Sequence, residues 1–213
     1  MKLYDAPRTC SLSPHIVLHE LALPFERIQV DNRTKKTADG RDFLTINPKG
    51  YVAALELDGG RVLTEGAVIV QYLADLRPER GLAPPAGGWE RVRLQEWLNF
   101  VTCEIHAGLA PLFNSALPEA AREHFIERLQ RRLDYLQPIL VQRPYLMESG
   151  YSVADIYLFT VLRWCPLFAI DLNPWPALQR HQERIGERPA VRTALRAEAA
   201  SWPVHDQRGW TRD

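Results

Sequence analysis

The chain is expected to fold as a small α/β domain followed by an all-helical one, and three observations carry that expectation. Short apolar runs alternate with turn signals over residues 1–76. A cluster of breakers, Pro78, Gly81, Pro84, Pro85, Gly87 and Gly88, then interrupts the chain. The segments after it have helical rather than strand periodicity.

Lys2-Leu3-Tyr4 reads as a short strand, and Ala6 to Thr9 as a loop. Ser13-Pro14 is expected to open a helix, with Ser13 as its N-cap and Pro14 in the first turn. Ile16, Leu18, Leu21 and Leu23 supply its apolar residues, and Pro24 stops it. Phe25 to Val30 is a second strand. Asn32 to Asp42 is polar and basic, a loop leading to a weak helix. Asn47-Pro48-Lys49-Gly50 is a turn. Ala54 to Leu57 and Arg61 to Leu63 flank Asp58-Gly59-Gly60, a hairpin signal. Thr64 is expected to cap a helix from Glu65 to about Leu76, whose Val68, Ile69, Tyr72 and Leu73 recur at helical spacing. The order β-α-β, hairpin, helix predicts a thioredoxin-like domain with a four-stranded mixed sheet.

The boundary falls in the breaker-rich linker at about 77–88. It separates a domain over 1–78 from an all-helical C-terminal bundle over 88–213. In the bundle, Trp89 to about Leu112 reads as one long amphipathic helix, and Pro118 to about Gln142 as another. Ser152 and Asp155 have capping-box spacing before the apolar stretch Ile156 to Cys165, with Tyr151 and Ile156 as a staple. Trp175 to Glu187 and Pro189 to Ala200 complete the helices.

Lys plus Arg equals Asp plus Glu at 26 each, so no charge excess argues for nucleic acid or an anionic membrane. No apolar run is long enough to span a bilayer. Met1 to Asp5 shows no secretory h-region. Cys10, Cys103 and Cys165 are too scattered for a disulfide framework or a zinc site, so no metal is expected. A cytoplasmic, reducing compartment is the simplest reading.

Two places carry chemistry. Cys10 lies in the loop before the first helix, where the helix dipole and free N–H groups favour a thiolate. Cys10-Ser11-Leu12-Ser13 is not a dithiol motif, so a mixed disulfide with a small thiol, or a hydrogen bond to its sulfur, fits better. At Thr64-Glu65-Gly66, the Glu65 carboxylate and the Gly66 N–H match the ammonium and carboxylate of an amino acid. Taken alone, Glu65 reads better as a helix-capping residue.

Cys-Ser-Leu-Ser-Pro-His (10–15), Arg-Thr-Lys-Lys-Thr (33–37), Ile-Asn-Pro-Lys-Gly-Tyr-Val (46–52), Leu-Thr-Glu-Gly (63–66) and Gln-Tyr-Leu-Ala-Asp (71–75) resemble the bacterial beta-class glutathione transferases. The resemblance continues through Trp97 to Phe100, Glu104-Ile105-His106, Pro111 to Asn114 and Ser152 to Asp155. It implies glutathione as co-substrate. Cys10, with its neighbour Ser11, and His106 would be the catalytic residues, His106 opposite Cys10. Lys35 would pair with the glycine carboxylate, Val52 would pair strand to strand with the cysteinyl unit, and Glu65 and Gly66 would hold the γ-glutamyl head. Asn99 and Glu104 would lie close by, reaching across a homodimer interface. Phe113 and Trp164 would line a hydrophobic pocket for the electrophile. Histidine on a helix and aromatics at these spacings also read as ordinary core.

Two positions depart from the family pattern. Val52-Ala53-Ala54-Leu55 lacks the proline that the family carries after the valine, and Ala107 stands where a lysine is usual. Without proline a trans bond is expected between Val52 and Ala53, with Val52 displaced. The reaction implied is conjugation of glutathione to small electrophiles, or thiol–disulfide exchange through Cys10. The alternative is a non-enzymatic binding or interaction protein on the same fold, with weak glutathione affinity.

Overall fold

The computed structural model describes residues 1–201. They divide into two compact units, Met1–Ala83 together with the stretch from Arg188, and Pro84–Glu187. The last twelve residues of the expected 88–213 range, 202–213, lie outside the described residues.

In the first unit, β1 (Lys2–Asp5), α1 (Leu12–Glu20), β2 (Glu26–Gln29), β3 (Ala54–Glu56), β4 (Val62–Thr64) and α2 (Gly66–Asp75) follow in that order. The sheet order is β2-β1-β3-β4. β1 runs parallel to β2, pairing Tyr4 with Ile28, and antiparallel to β3, pairing Tyr4 with Ala54. β3 and β4 close the hairpin with Leu55 opposite Leu63. Gly59 and Gly60 turn it at φ of 88° and 79°, a region that side-chain-bearing residues avoid. This is the four-stranded mixed sheet and thioredoxin-like order that the sequence predicts.

Strand alternation sends Tyr4, Ile28 and Ala54 to one face of the sheet, where Val30, Phe43, Val52 and Ala6 complete a buried cluster. Leu3 and Leu55 point the other way and are fully buried. The helix Pro189–Ala200, called α7 below, follows the helical bundle in chain order yet packs on α1. Arg188 holds Glu20 through two bonds of 2.6 and 3.0 Å, and Arg27 donates to the Ala197 carbonyl at 2.8 Å and the Ser201 hydroxyl at 2.7 Å.

Three local expectations are corrected. Ser13 is not the cap of α1: it lies inside the first turn and its hydroxyl bonds back to the Cys10 carbonyl at 2.9 Å, leaving Ser11 at the cap position. Thr64 ends β4, so Glu65 takes the N-cap of α2. The segment 32–42 forms no helix. A single 3₁₀ turn, Phe43–Thr45, follows it, capped by the Asp42 carboxylate on the Leu44 N–H at 3.0 Å.

The second unit holds α3 (Trp89–Phe100), α4 (Glu119–Gln142), α5 (Val153–Leu162) and α6 (Pro176–Gly186). All ten residues of α5 are buried, and α3 and α6 pack against it. The capping box forms as expected: the Ser152 hydroxyl caps the helix and the Asp155 carboxylate returns to the Ser152 N–H at 2.9 Å. Asp155 also accepts from the Leu146 N–H at 2.8 Å and meets His181 Nε2 at 3.0 Å, all buried.

The long helix expected from Trp89 to Leu112 is not one regular helix. It passes from α3 into a π-helical segment, Val101–His106, and ends in a 3₁₀ turn, Ala110–Phe113. The Thr102 hydroxyl donates to the Leu98 carbonyl at 2.7 Å and so competes for the ladder at the point where the register widens. Among the described residues, no helix is long and apolar enough to cross a membrane.

Candidate functional site

In the first unit, the predicted residues Cys10, Lys35, Val52, Glu65 and Gly66 come together through a chain of contacts. The Cys10 thiol donates to the Val52 carbonyl at 3.4 Å. Ser13, bonded to the Cys10 carbonyl, lies beside Gly66, where an added Cβ would sit 3.8 Å from its hydroxyl. Lys49 pairs with the Glu65 carboxylate. Its neighbour Gly50 accepts from Lys35 Nζ at 2.9 Å. Lys35 and Glu65 both have left-handed backbones, with φ of 56° and 70°. Such conformations cost free energy in residues other than glycine and gather at functional sites.

The electrostatics at Cys10 run opposite to the expected thiolate. Burial pushes its thiol up to about 11, and the Glu65 carboxylate adds to the rise despite opposing help from the backbone N–H. A carbonyl acceptor also favours the protonated form. The helix terminus is real, but loss of solvent outweighs it.

The bond between Val52 and Ala53 is cis, not the expected trans. Both sides of it are anchored. Asn47, itself buried, donates to the Tyr51 carbonyl at 2.7 Å, and Ala54 is paired with Tyr4 and Thr64 in the sheet. Val52 is therefore not displaced from Cys10.

Ser11, the neighbour of Cys10, lies inside the loop before α1. Its side chain is fully buried, and the hydroxyl bonds to Thr9 at 2.6 Å and to both the N–H and the carbonyl of Ala6 at 3.1 Å. It shapes the loop that carries Cys10.

In the second unit, His106 closes the π-helical segment, which is a common marker of function. Its Nδ1 lies 2.6 Å from the Tyr157 hydroxyl, and its ring meets Trp164 edge-on at 5.0 Å. Phe113 packs on Trp164 at 5.1 Å and on Phe168 at 4.8 Å. His106, Phe113 and Trp164 thus form one aromatic wall. Trp164 is buried and Phe113 half-buried. Asn99 is exposed on α3 and accepts from the Cys103 thiol at 3.6 Å. The Glu104 carboxylate is engaged by Arg132 at 2.6 Å and Arg128 at 3.2 Å, both on α4. These bonds, Arg132 first, hold its carboxyl below the usual range.

Residues 8–76 match the family described as the N-terminal domain of glutathione S-transferases, and residues 100–189 match its C-terminal domain. The glutathione S-transferase GstA of Escherichia coli O157:H7 is 39% identical, over 93% of this chain and 98% of its own length. The chain belongs to the glutathione S-transferase family. Among solved structures, BphK, a bacterial member crystallised as a ternary complex, is 52% identical with a TM-score of 0.92, over 93% of this chain and 100% of its own. A sphingomonad glutathione S-transferase complexed with glutathione is 43% identical with a TM-score of 0.91, over 93% and 99%.

Three residues of these clusters went unread in the sequence of this family member. Lys49 was part of a turn signal, and only its spatial meeting with Glu65 reveals it. Tyr157 sat in an apolar stretch that reads as core. Phe168 carried no signal. Among the described residues, no group of three or more His, Cys, Asp or Glu side chains is placed to hold a metal ion.

Proposed function

We propose that this chain is a beta-class glutathione transferase that conjugates glutathione to small electrophiles. The observation that carries the proposal is the Cys10 thiol on the Val52 carbonyl, within the patch that also holds Lys35, Glu65 and Gly66. Glu65 and the N–H at Gly66 would take the γ-glutamyl head, Lys35 the glycine carboxylate, and Val52 the cysteinyl backbone. Held at both ends, the glutathione sulfur is positioned for attack. A protonated Cys10 suits a donor better than a nucleophile: its S–H turns from Val52 to the incoming sulfur and stabilises the thiolate there. His106, in the second unit, is proposed as a further catalytic residue on the family resemblance alone. The glutathione thiol gives its proton to water and its sulfur bonds to the electrophilic carbon; the displaced electron pair leaves with the halide, or stays in the product as an alkoxide or enolate that takes a proton from water. Phe113 and Trp164 would receive the apolar body of that electrophile, with Asn99 as a further polar contact.

The raised Cys10 thiol argues for conjugation over thiol–disulfide exchange, which needs a thiolate. We further propose a cytoplasmic homodimer. Val68 on α2, Leu76 just after it, and Trp89 and Val92 on α3 are exposed apolar residues of the kind that self-association covers.

The test is retention on immobilised glutathione, followed by conjugation assays with aryl halides, epoxides and enones. Cys10→Ala should keep glutathione affinity within a few-fold and lower turnover. Retention without conjugation of any electrophile would support the non-enzymatic alternative instead.

A further inference from the structure

The loop that carries Cys10 is tied at its base and pinned at its crest. At the base, the Ser11 hydroxyl bonds to the N–H and the carbonyl of Ala6, and the Thr9 hydroxyl donates to that carbonyl at 2.7 Å. The crest is a turn over Pro7 and Arg8. Arg8 has a left-handed backbone, with φ of 61°. Proline followed by a positive φ is the pattern of a type II turn, whose second central position favours glycine because a Cβ there is crowded. Arginine keeps that conformation only where its surroundings hold it.

The hold comes from 190 positions along the chain, where the Glu198 carboxylate accepts from the Arg8 N–H at 2.6 Å. This is a short, charge-assisted bond. Glu198 is buried on α7, within the first unit. α7 is itself fixed at both ends: Arg188 binds Glu20, and Arg27 reaches the Ala197 carbonyl and the Ser201 hydroxyl. A carboxylate in this place is costly. It is largely out of water, and after burial its charge is a further cause of the raised Asp5 carboxyl. The bond to the Arg8 N–H offsets part of that cost and fixes the turn.

We propose that Glu198 is a positioning residue for Cys10: by holding the Arg8 N–H it locks the Pro7-Arg8 turn, and so keeps the Cys10 sulfur against the Val52 carbonyl. The use of that sulfur in conjugation rests on the proposed function; its placement does not. Without the carboxylate, Arg8 relaxes toward the right-handed or extended backbone that arginine prefers. Thr9 is then drawn off Ala6, and Cys10 leaves Val52 for solvent. Arg8 and Glu198 also make other interactions, from which a second substitution at Arg8 separates this bond.

The experiment times iodoacetamide labelling of Cys10 at pH 8, with Cys103 as internal reference, beside conjugation kinetics. Glu198→Ala should label Cys10 about ten-fold faster than the wild type, because an exposed thiol nearer its ordinary pKa carries more thiolate. Turnover should fall about ten-fold, the rate equivalent of one hydrogen bond. The KM for glutathione should stay within about three-fold, because Lys35 and Glu65 are proposed to hold its ends. Glu198→Gln keeps an oxygen acceptor and should behave as the wild type. Arg8→Gly combined with Glu198→Ala should do so too, since glycine takes the turn unaided. That double variant decides the matter even where Glu198→Ala alone does not fold. Fast Cys10 labelling in the double variant, or its failure to fold, places the role of Glu198 elsewhere and overturns the proposal. Unchanged Cys10 labelling in Glu198→Ala overturns it as well. Absence of any conjugation by the wild type would instead overturn the function reading, while the labelling, which needs no turnover, still decides what Glu198 does.

Discussion

The Cys10 thiol donates to the Val52 carbonyl at 3.4 Å, which ties the loop before α1 to the residue just before β3. Desolvation first, and then the Glu65 charge, push the Cys10 thiol up to about 11. Cys165 is fully buried and pushed up to about 12, whereas Cys103 is exposed. The order of alkylation in the native protein should be Cys103 first, Cys10 second and Cys165 last, with the Cys10 rate still rising well above pH 9. Mass mapping of timed iodoacetamide reactions checks this. Cys10 labelling ahead of Cys103 at neutral pH would mean that the helix terminus outweighs burial after all.

Lys49 neutralises Glu65 where a ligand ammonium is proposed to bind. Both side chains are more than half exposed, at 52% and 63%, so the pair is weak and screened by salt. Lys49→Met should tighten glutathione binding by about two- to five-fold, the equivalent of releasing one surface ion pair. Calorimetric titration at low and high salt reads it. Weaker binding in the variant would show that Lys49 contacts glutathione itself.

Ser152→Ala removes the hydroxyl of the capping box at the start of the buried α5. The expected cost is about 0.5–2 kcal/mol of stability, with turnover per folded molecule unchanged. Thermal melts beside active-site titration test the split. A normal melt with lost activity would make Ser152 a site residue.

His15 is buried, its Nε2 lies 3.2 Å from that of His19, and Phe25 packs on both rings. Burial first, then the Arg27 and His19 charges, lower its pKa to about 3. The unfolded chain binds a proton below about 6.5 that the folded chain refuses, so this group's stabilising effect is lost as pH falls from there toward 3. Asp5 runs the other way. Burial raises it to about 6, so the folded state takes up its proton first and gains stability as pH falls through that value. His15→Asn should lose stability at pH 7 yet show a shallower fall in melting temperature between pH 6.5 and 4 than the wild type. Equal slopes would show that His15 titrates normally.

The sequence alone determined what neighbouring residues decide between themselves. Gly59-Gly60 turns the hairpin because only glycine takes those angles cheaply. The breakers from Pro78 to Gly88 end α/β structure, and Ser152 with Asp155 starts α5 through bonds that span three residues. The segment around Cys10 and Thr64-Glu65-Gly66 stood out as two separate places, and the fold links them through Ser13, which bonds to Cys10 and lies beside Gly66. Tertiary structure decided the rest, because burial and partners come from residues distant in the chain. Lys49 meets Glu65 sixteen residues on, and Tyr157 meets His106 across fifty-one. Glu104 is engaged by arginines from another helix, and α7 rejoins the first unit through Arg188 and Glu20. The state of the Cys10 sulfur is the clearest case. Its local setting favours a thiolate, but packing leaves it half-buried and strips away part of the water that a thiolate needs.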